Sequence, residues 1–289
     1  MTGDTTGGEV TGPAPGAGGR GSRGVADVLA RTRAEGRAAL IAYLPVGFPD
    51  VPTSVAAMQA LVEGGADIVE VGIPYSDPLM DGPVIQHAVE AALRHGTRSR
   101  DVFTATAAVA AAGAPALVMT YWNIVDRYGV QRFAEDLAAR GGAGLITPDL
   151  IPDEAAEWLD AARRHDLDHV FLVAPSSTDA RLAATARACR GFVYAASTMG
   201  VTGTRSTVGA GAQALVERTR AFTDLPICVG LGVSDAAQAA EVAGFADGVI
   251  VGSAFVRALA DADSPAAGVT AVKRLAAELA GGVREGRTS

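Results

Sequence analysis

The chain has 289 residues, 49% of them apolar and 19% charged, enough to build a large core, which excludes a disulfide-stapled miniprotein and a wholly disordered chain. A formal net charge of −8, with no segment where Lys and Arg cluster, argues against a nucleic-acid partner. The two cysteines, Cys189 and Cys228, lie far apart with no His at metal-ligand spacing, which predicts no metal site and reduced core thiols of a cytoplasmic protein.

Nine of the first 24 residues are glycine, and no apolar run there has the form of a signal peptide. Residues 1–23 therefore read as a flexible tail, followed by a leading helix over about 24–34. Eight short runs rich in Val, Ile, Leu and Ala follow, at 39–43, 67–72, 115–120, 143–147, 169–174, 192–196, 226–230 and 247–251. Amphipathic helical patterns separate them at 52–64, 84–95, 101–112, 130–140, 153–165, 179–189, 209–222 and 235–243, with a last one at 265–280. Asp153, Asp179 and Ser234 are candidate N-caps, and Gly64, Gly96, Gly141 and Gly244 candidate helix stops.

The uncharged stretch 102–125 is long enough to raise a membrane span. Its alanines and threonines and the Gly113-Ala114-Pro115 break predict instead a soluble helix, a turn and a buried strand. Eight alternating units predict an α/β chain folded as a single-domain (β/α)8 TIM barrel over 24–281, with a flexible end at 282–289. An open doubly wound sheet is the competing arrangement.

In a barrel of this kind the loops after the strands build the site. Glu70 stands in the apolar run Ile68-Val69-Glu70-Val71-Gly72, where an unpaired carboxylate costs several kcal/mol or raises its pKa. It is either a functional acid or the partner of a buried cation. The next loop, Pro74-Tyr75-Ser76-Asp77-Pro78-Leu79-Met80-Asp81-Gly82-Pro83, carries two acids that serve either turn and cap chemistry or the site. Two carboxylates from one unit divide labour when one exchanges protons and the other stays ionised.

Glycines cluster after the sixth, seventh and eighth runs, at 200–203, 230–232 and 252 beside Ser253. Exposed backbone N–H groups there make an anion cradle, and hence a phosphorylated substrate, although any one pair also reads as a tight turn. The chain has no lysine before Lys273, which argues against Schiff-base chemistry.

Together, Glu70-Val71-Gly72-Ile73-Pro74-Tyr75-Ser76-Asp77-Pro78, Asp81-Gly82-Pro83-Val84-Ile85-Gln86 and Gly200-Val201-Thr202-Gly203 closely resemble the tryptophan synthase α subunit family, over about residues 24–280. The resemblance implies retro-aldol cleavage of indole-3-glycerol phosphate to indole and glyceraldehyde 3-phosphate. It implies no cofactor in this subunit, with pyridoxal phosphate in a separate β subunit and an α2β2 assembly. Glu70 matches the family's acid/base and Asp81 the carboxylate that receives the indole N–H.

By the same resemblance Tyr194 matches a tyrosine beside the acid/base, and Gly203, Gly232, Gly252 and Ser253 match the phosphate cradle. Tyr43 and Tyr121 fall where the family packs aromatic side chains by the indole. Thr202 lies on a loop matching a mobile lid, and Asp77 and Pro78 sit where the α loop meets the β partner. The chain departs from the pattern at Met80, where many members have Ala, at Thr198, where some have Arg, and at Thr147, in place of Val or Ile. A stand-alone lyase releasing free indole would use the same residues, and a non-catalytic activator of a β subunit is the third reading.

Overall fold

The computed structural model describes residues 24–197 and 209–286. Helix α1 (Val25–Ala34) leads into β1 (Ala39–Pro45), α2 (Val51–Glu63) and β2 (Ile68–Gly72), and then two helices, α3 (Pro83–Arg94) and α4 (Asp101–Ala112). Next come β3 (Ala116–Met119), α5 (Trp122–Tyr128), α6 (Val130–Ala139), β4 (Gly144–Thr147), α7 (Ala156–Arg164) and β5 (Asp168–Val173). The chain continues through α8 (Asp179–Ala188), β6 (Val193–Ala196), α9 (Ala210–Arg220), β7 (Ile227–Gly230), α10 (Ala236–Ala243) and β8 (Gly248–Val251). It ends with α11 (Ser253–Ala260) and α12 (Pro265–Glu285).

All eight strands are parallel and close into a barrel in sequence order, β8 pairing with β1. This excludes the open sheet. The expected strands form with ends shifted by at most two residues. Period-two alternation sends Ile41, Ile68, Leu117, Ile146, Val170, Phe192, Cys228 and Ile250 into one buried cluster inside the barrel. A second, larger cluster fills the space between strands and helices, with Trp158, Phe133 and Phe255 wholly buried. Both cysteines are free and buried.

Local chemistry sets the helix ends. Asp50 caps α2 by accepting the Thr53 N–H at 2.7 Å, and Ser264 caps α12 with Pro265 in its first turn. The three N-caps expected from sequence are each displaced. Thr178, not Asp179, caps α8, Asp235, not Ser234, caps α10, and Asp153 sits in a short turn where it pairs with Arg181 at 2.7 Å. In the first two cases an adjacent residue holds the extended backbone that lets its side-chain oxygen reach the N–H three residues on.

Two helices escape the sequence pattern: α5, of 7 residues, and α11, of 8 residues, each starting within three residues of the end of a strand, so that its apolar residues read on from the strand run. Helix α12 runs five residues past its expected end at 280, so 282–285, expected in a flexible end, are helical, with Gly282 and Val283 buried. The stretch 102–125 is α4, a turn and buried β3 as expected, with its last four residues opening the unexpected α5. No described helix is long and apolar enough to cross a membrane.

The floor of the barrel is sealed by α1, whose Val25, Val28 and Leu29 join the interior cluster. Three aspartates stand there at strand starts, and each is held by an arginine. Arg37 grips Asp67 with two N–H groups at 2.7 and 2.8 Å, Arg190 Nε meets Asp168 at 3.2 Å, and Arg220 meets Asp247 at 2.9 Å. Asp67 and Asp247 also accept the backbone N–H groups of Leu40 and Ile227, which ties neighbouring strands together.

Candidate active site

At the opposite, C-terminal end of the strands a cavity of about 490 Å³ opens, in the size range of small-molecule sites. Glu70, Asp81, Tyr43, Tyr194, Gly232, Gly252 and Ser253 all border it. The structure therefore brings together seven of the residues singled out from sequence. Thr202 and Gly203, with Thr198, lie outside the described residues. Asp77, Pro78 and Tyr121 do not border the cavity.

Glu70 sits inside the barrel, in register between Tyr43 on β1 and Leu117 on β3. It is 0% exposed, and neither carboxylate oxygen has a hydrogen-bond partner among the described residues. Among the described residues no buried arginine or lysine neutralises it, which leaves the structural alternative raised by the sequence without a cation. Burial alone pushes its pKa from an ordinary 4.5 to about 8. Near neutral pH the side chain holds its proton and can give it up, which is what a general acid requires.

Asp81 ends the loop between β2 and α3. It does not cap α3, whose N-cap is Gly82 without a side-chain bond. Its half-buried carboxylate faces the cavity, and burial raises its pKa. Gln86 Nε2 donates to its backbone carbonyl at 2.6 Å, leaving the carboxylate available to a ligand.

Tyr43 and Tyr194 frame Glu70, and both hydroxyls are kept protonated well above their usual range, chiefly by burial and then by the nearby carboxylates. Each ring lies over a glycine. A Cβ at Gly72 would stand 2.5 Å from the Tyr43 hydroxyl, and one at Gly230 would stand 2.5 Å from that of Tyr194. The two glycines thus make the space in which the tyrosines stand, a role invisible in the sequence.

The anion-binding side is built by the loops after β7 and β8. Gly232 is exposed with φ +74°, a left-handed conformation that favours glycine and brings the backbone close to a ligand. Gly252 is the N-cap of α11, and Ser253 its first residue. The unforeseen α11 therefore opens with its N-terminus at the cavity, where free N–H groups and the helix dipole favour an anion. Met80, a departure from the family pattern in the sequence, supplies apolar wall with Met119, Leu231 and Ile250, which read there as ordinary core or loop residues.

A larger cavity of about 1190 Å³ lies at the floor, between α1 and the barrel rim. Of its four carboxylates, Asp27 and Asp224 are exposed and Asp166 and Asp168 are engaged by Arg190, so it holds no buried, unpartnered acid like the one at the mouth. Among the described residues no group of three His, Cys, Asp or Glu side chains is placed to hold a metal ion.

Fold and mouth together are those of a (β/α)8-barrel enzyme with a buried carboxylate in its mouth. The family model for the tryptophan synthase alpha chain matches residues 29–284. The chain is 63% identical over 263 residues to the tryptophan synthase alpha chain of Streptomyces avermitilis, covering 91% of this chain and 95% of that one. It is 64% identical over 253 residues to that of Mycobacterium avium, covering 88% and 92%. Among solved structures, Mycobacterium tuberculosis tryptophan synthase superposes with a TM-score of 0.84 at 61% identity, covering 91% of this chain and 99% of that one. The alpha subunit of Legionella pneumophila keeps a TM-score of 0.80 at 30% identity, covering 90% and 97%. The chain belongs to the tryptophan synthase alpha chain family.

Proposed function

We propose that this chain is the α subunit of a tryptophan synthase, cleaving indole-3-glycerol phosphate to indole and glyceraldehyde 3-phosphate and passing the indole to a β subunit. One observation carries the reading: a fully buried Glu70, unpartnered among the described residues, shares a cavity with Asp81, opposite a glycine-lined helix N-terminus. The phosphate sits against Gly232, Gly252 and Ser253, which places the indole toward Tyr43, Tyr194 and the apolar wall.

Glu70 gives its proton to the ring carbon that bears the glycerol chain. Positive charge develops on the ring N–H, and the Asp81 carboxylate meets it there. Glu70, now ionised, takes the proton of the adjacent glycerol hydroxyl. The carbon–carbon bond breaks as the aldehyde forms, and the bonding electron pair returns to the ring, restoring indole. Glu70 thus ends as it began, protonated.

This chain needs no cofactor of its own for that sequence, and pyridoxal phosphate belongs to the β partner. Lys273, the one lysine, is engaged with Glu63 at 2.8 Å on the helical layer, away from the mouth. The partner docks on the loop after β2, where Leu79 is 78% and Met80 47% exposed beside Asp77 and Pro78. An α2β2 assembly and a cytoplasmic location fit this docking loop and the free thiols.

The test is indole release from indole-3-glycerol phosphate by the purified chain, with and without a β subunit. Slow release that rises strongly with the β subunit is the expected result. Rapid release by the chain alone would make it a stand-alone lyase. No release in either condition would contradict the assignment.

A further inference from the structure

We propose that Tyr121 is a positioning residue for this reaction: its hydroxyl accepts the backbone N–H groups of Leu79 and Met80 and so fixes the loop that carries Asp81. The contacts are 2.9 Å from Leu79 N and 3.2 Å from Met80 N, and Asp81 is the next residue. The inference rests on the reading of the mouth as the lyase centre.

The loop after β2 is tied at its start, where Ile73 donates to the Met119 carbonyl at 3.0 Å, and at its end, where Gln86 holds the Asp81 carbonyl. Between Pro74 and Met80, no other hydrogen bond joins the loop to a neighbouring element among the described residues. With Leu79 and Met80 turned to solvent, this stretch would otherwise be free to move. Tyr121 supplies the fixed point.

It is itself held by the barrel frame. Tyr121 stands two residues past β3 as the N-cap of α5 and is 6% exposed. Its ring stacks on Tyr75 with centroids 4.7 Å apart. The following Trp122 N–H donates to both Asp149 carboxylate oxygens, at 2.9 and 3.1 Å. The hydroxyl therefore refers the position of Asp81 to β3 and β4, and it lies directly beneath the exposed residues on which a β subunit would press.

Tyr121→Phe keeps the ring stack and removes the acceptor. The freed N–H groups reach water, so the fold survives, while Asp81 loses alignment; a misplacement near 1 Å costs on the order of 10²-fold in rate. In the full chain assayed with its β subunit, kcat for indole release should fall about tenfold or more. Binding of glycerol 3-phosphate, a probe of the anion side, should stay within about twofold. Hydrogen exchange at the Leu79 and Met80 amides should quicken.

In an Asp81→Asn background the same change should cost less than about twofold, because the two residues act as one unit. Full kcat in Tyr121→Phe, or an undiminished loss in the Asp81→Asn background, would overturn the inference. A wild-type chain that releases no indole would overturn the functional reading instead. Exchange needs no substrate and then decides alone: unchanged protection in Tyr121→Phe would overturn the inference in that case as well.

Discussion

The barrel buries acids at both ends and treats them in opposite ways. At the floor Asp67, Asp168 and Asp247, each under 10% exposed, lie against Arg37, Arg190 and Arg220. At the mouth Glu70, wholly buried, has no partner among the described residues. Glu70 lies only three residues along the chain from Asp67, so the difference is one of position on a strand and not of residue type. A carboxylate at a strand's start serves to tie strands together. The same group deeper along the strand, facing the cavity, is left unsatisfied at a cost of several kcal/mol that the rest of the fold offsets.

Substitutions at the two ends break or sharpen that contrast. The largest effect belongs to Glu70→Gln, which removes the exchangeable proton at nearly constant shape; turnover should fall about 10³-fold or more. Normal indole release by that variant would remove Glu70 from the chemistry. At the floor, Asp67→Ala strands the Leu40 N–H and takes from the Arg37 guanidinium its two-point partner, leaving it only Glu35 and the Ala38 carbonyl. It should cost about 3 kcal/mol of stability, seen in urea unfolding, with kcat unchanged below the transition. A loss of kcat without a loss of stability would erase the contrast.

On the anion side of the mouth, Gly232→Asp sets a negative charge against the substrate phosphate. Steady-state kinetics should show KM raised about tenfold, equivalent to ~1.4 kcal/mol, with kcat nearly unchanged. The last effect is on stability as a function of pH, and it is read as a slope. Below an ordinary 4.5 the folded and unfolded chains both keep the Glu70 proton, and between 4.5 and about 8 only the folded chain keeps it.

Glu70 therefore lowers stability as pH rises through that window, and the penalty is constant above about 8. Denaturant titrations should show Glu70→Gln gaining on the wild type by up to about 1.4 kcal/mol per pH unit across the window, with no gain below it. A gap that does not change with pH would place the native Glu70 pKa near its ordinary value.

Much of this was legible in the sequence. Runs such as Ile68–Gly72 and Gly248–Val251 announce buried parallel strands because burial on both faces leaves no polar alternation. Glu70 stands out because a charge interrupts such a run, and Asp81 because Pro and Gly frame it. The parts that stayed hidden depend on distant pairs. Nothing near Tyr121 signals that its hydroxyl holds amides 41 and 42 residues away, and Gly72 and Gly230 show their purpose only once Tyr43 and Tyr194 lie over them. Helix α11 was missed because only Gly252 separates it from β8, so its apolar residues read on from the strand, yet its first residue borders the site.

The central claim is that Glu70 holds its proton at neutral pH with no partner to take it. Infrared difference spectroscopy of wild type minus Glu70→Gln, titrated from acid to alkali, measures this directly through the carbonyl band of the protonated acid. The band should persist through neutrality and vanish with a midpoint near the raised value of about 8. A band already lost near 4.5 would contradict the account.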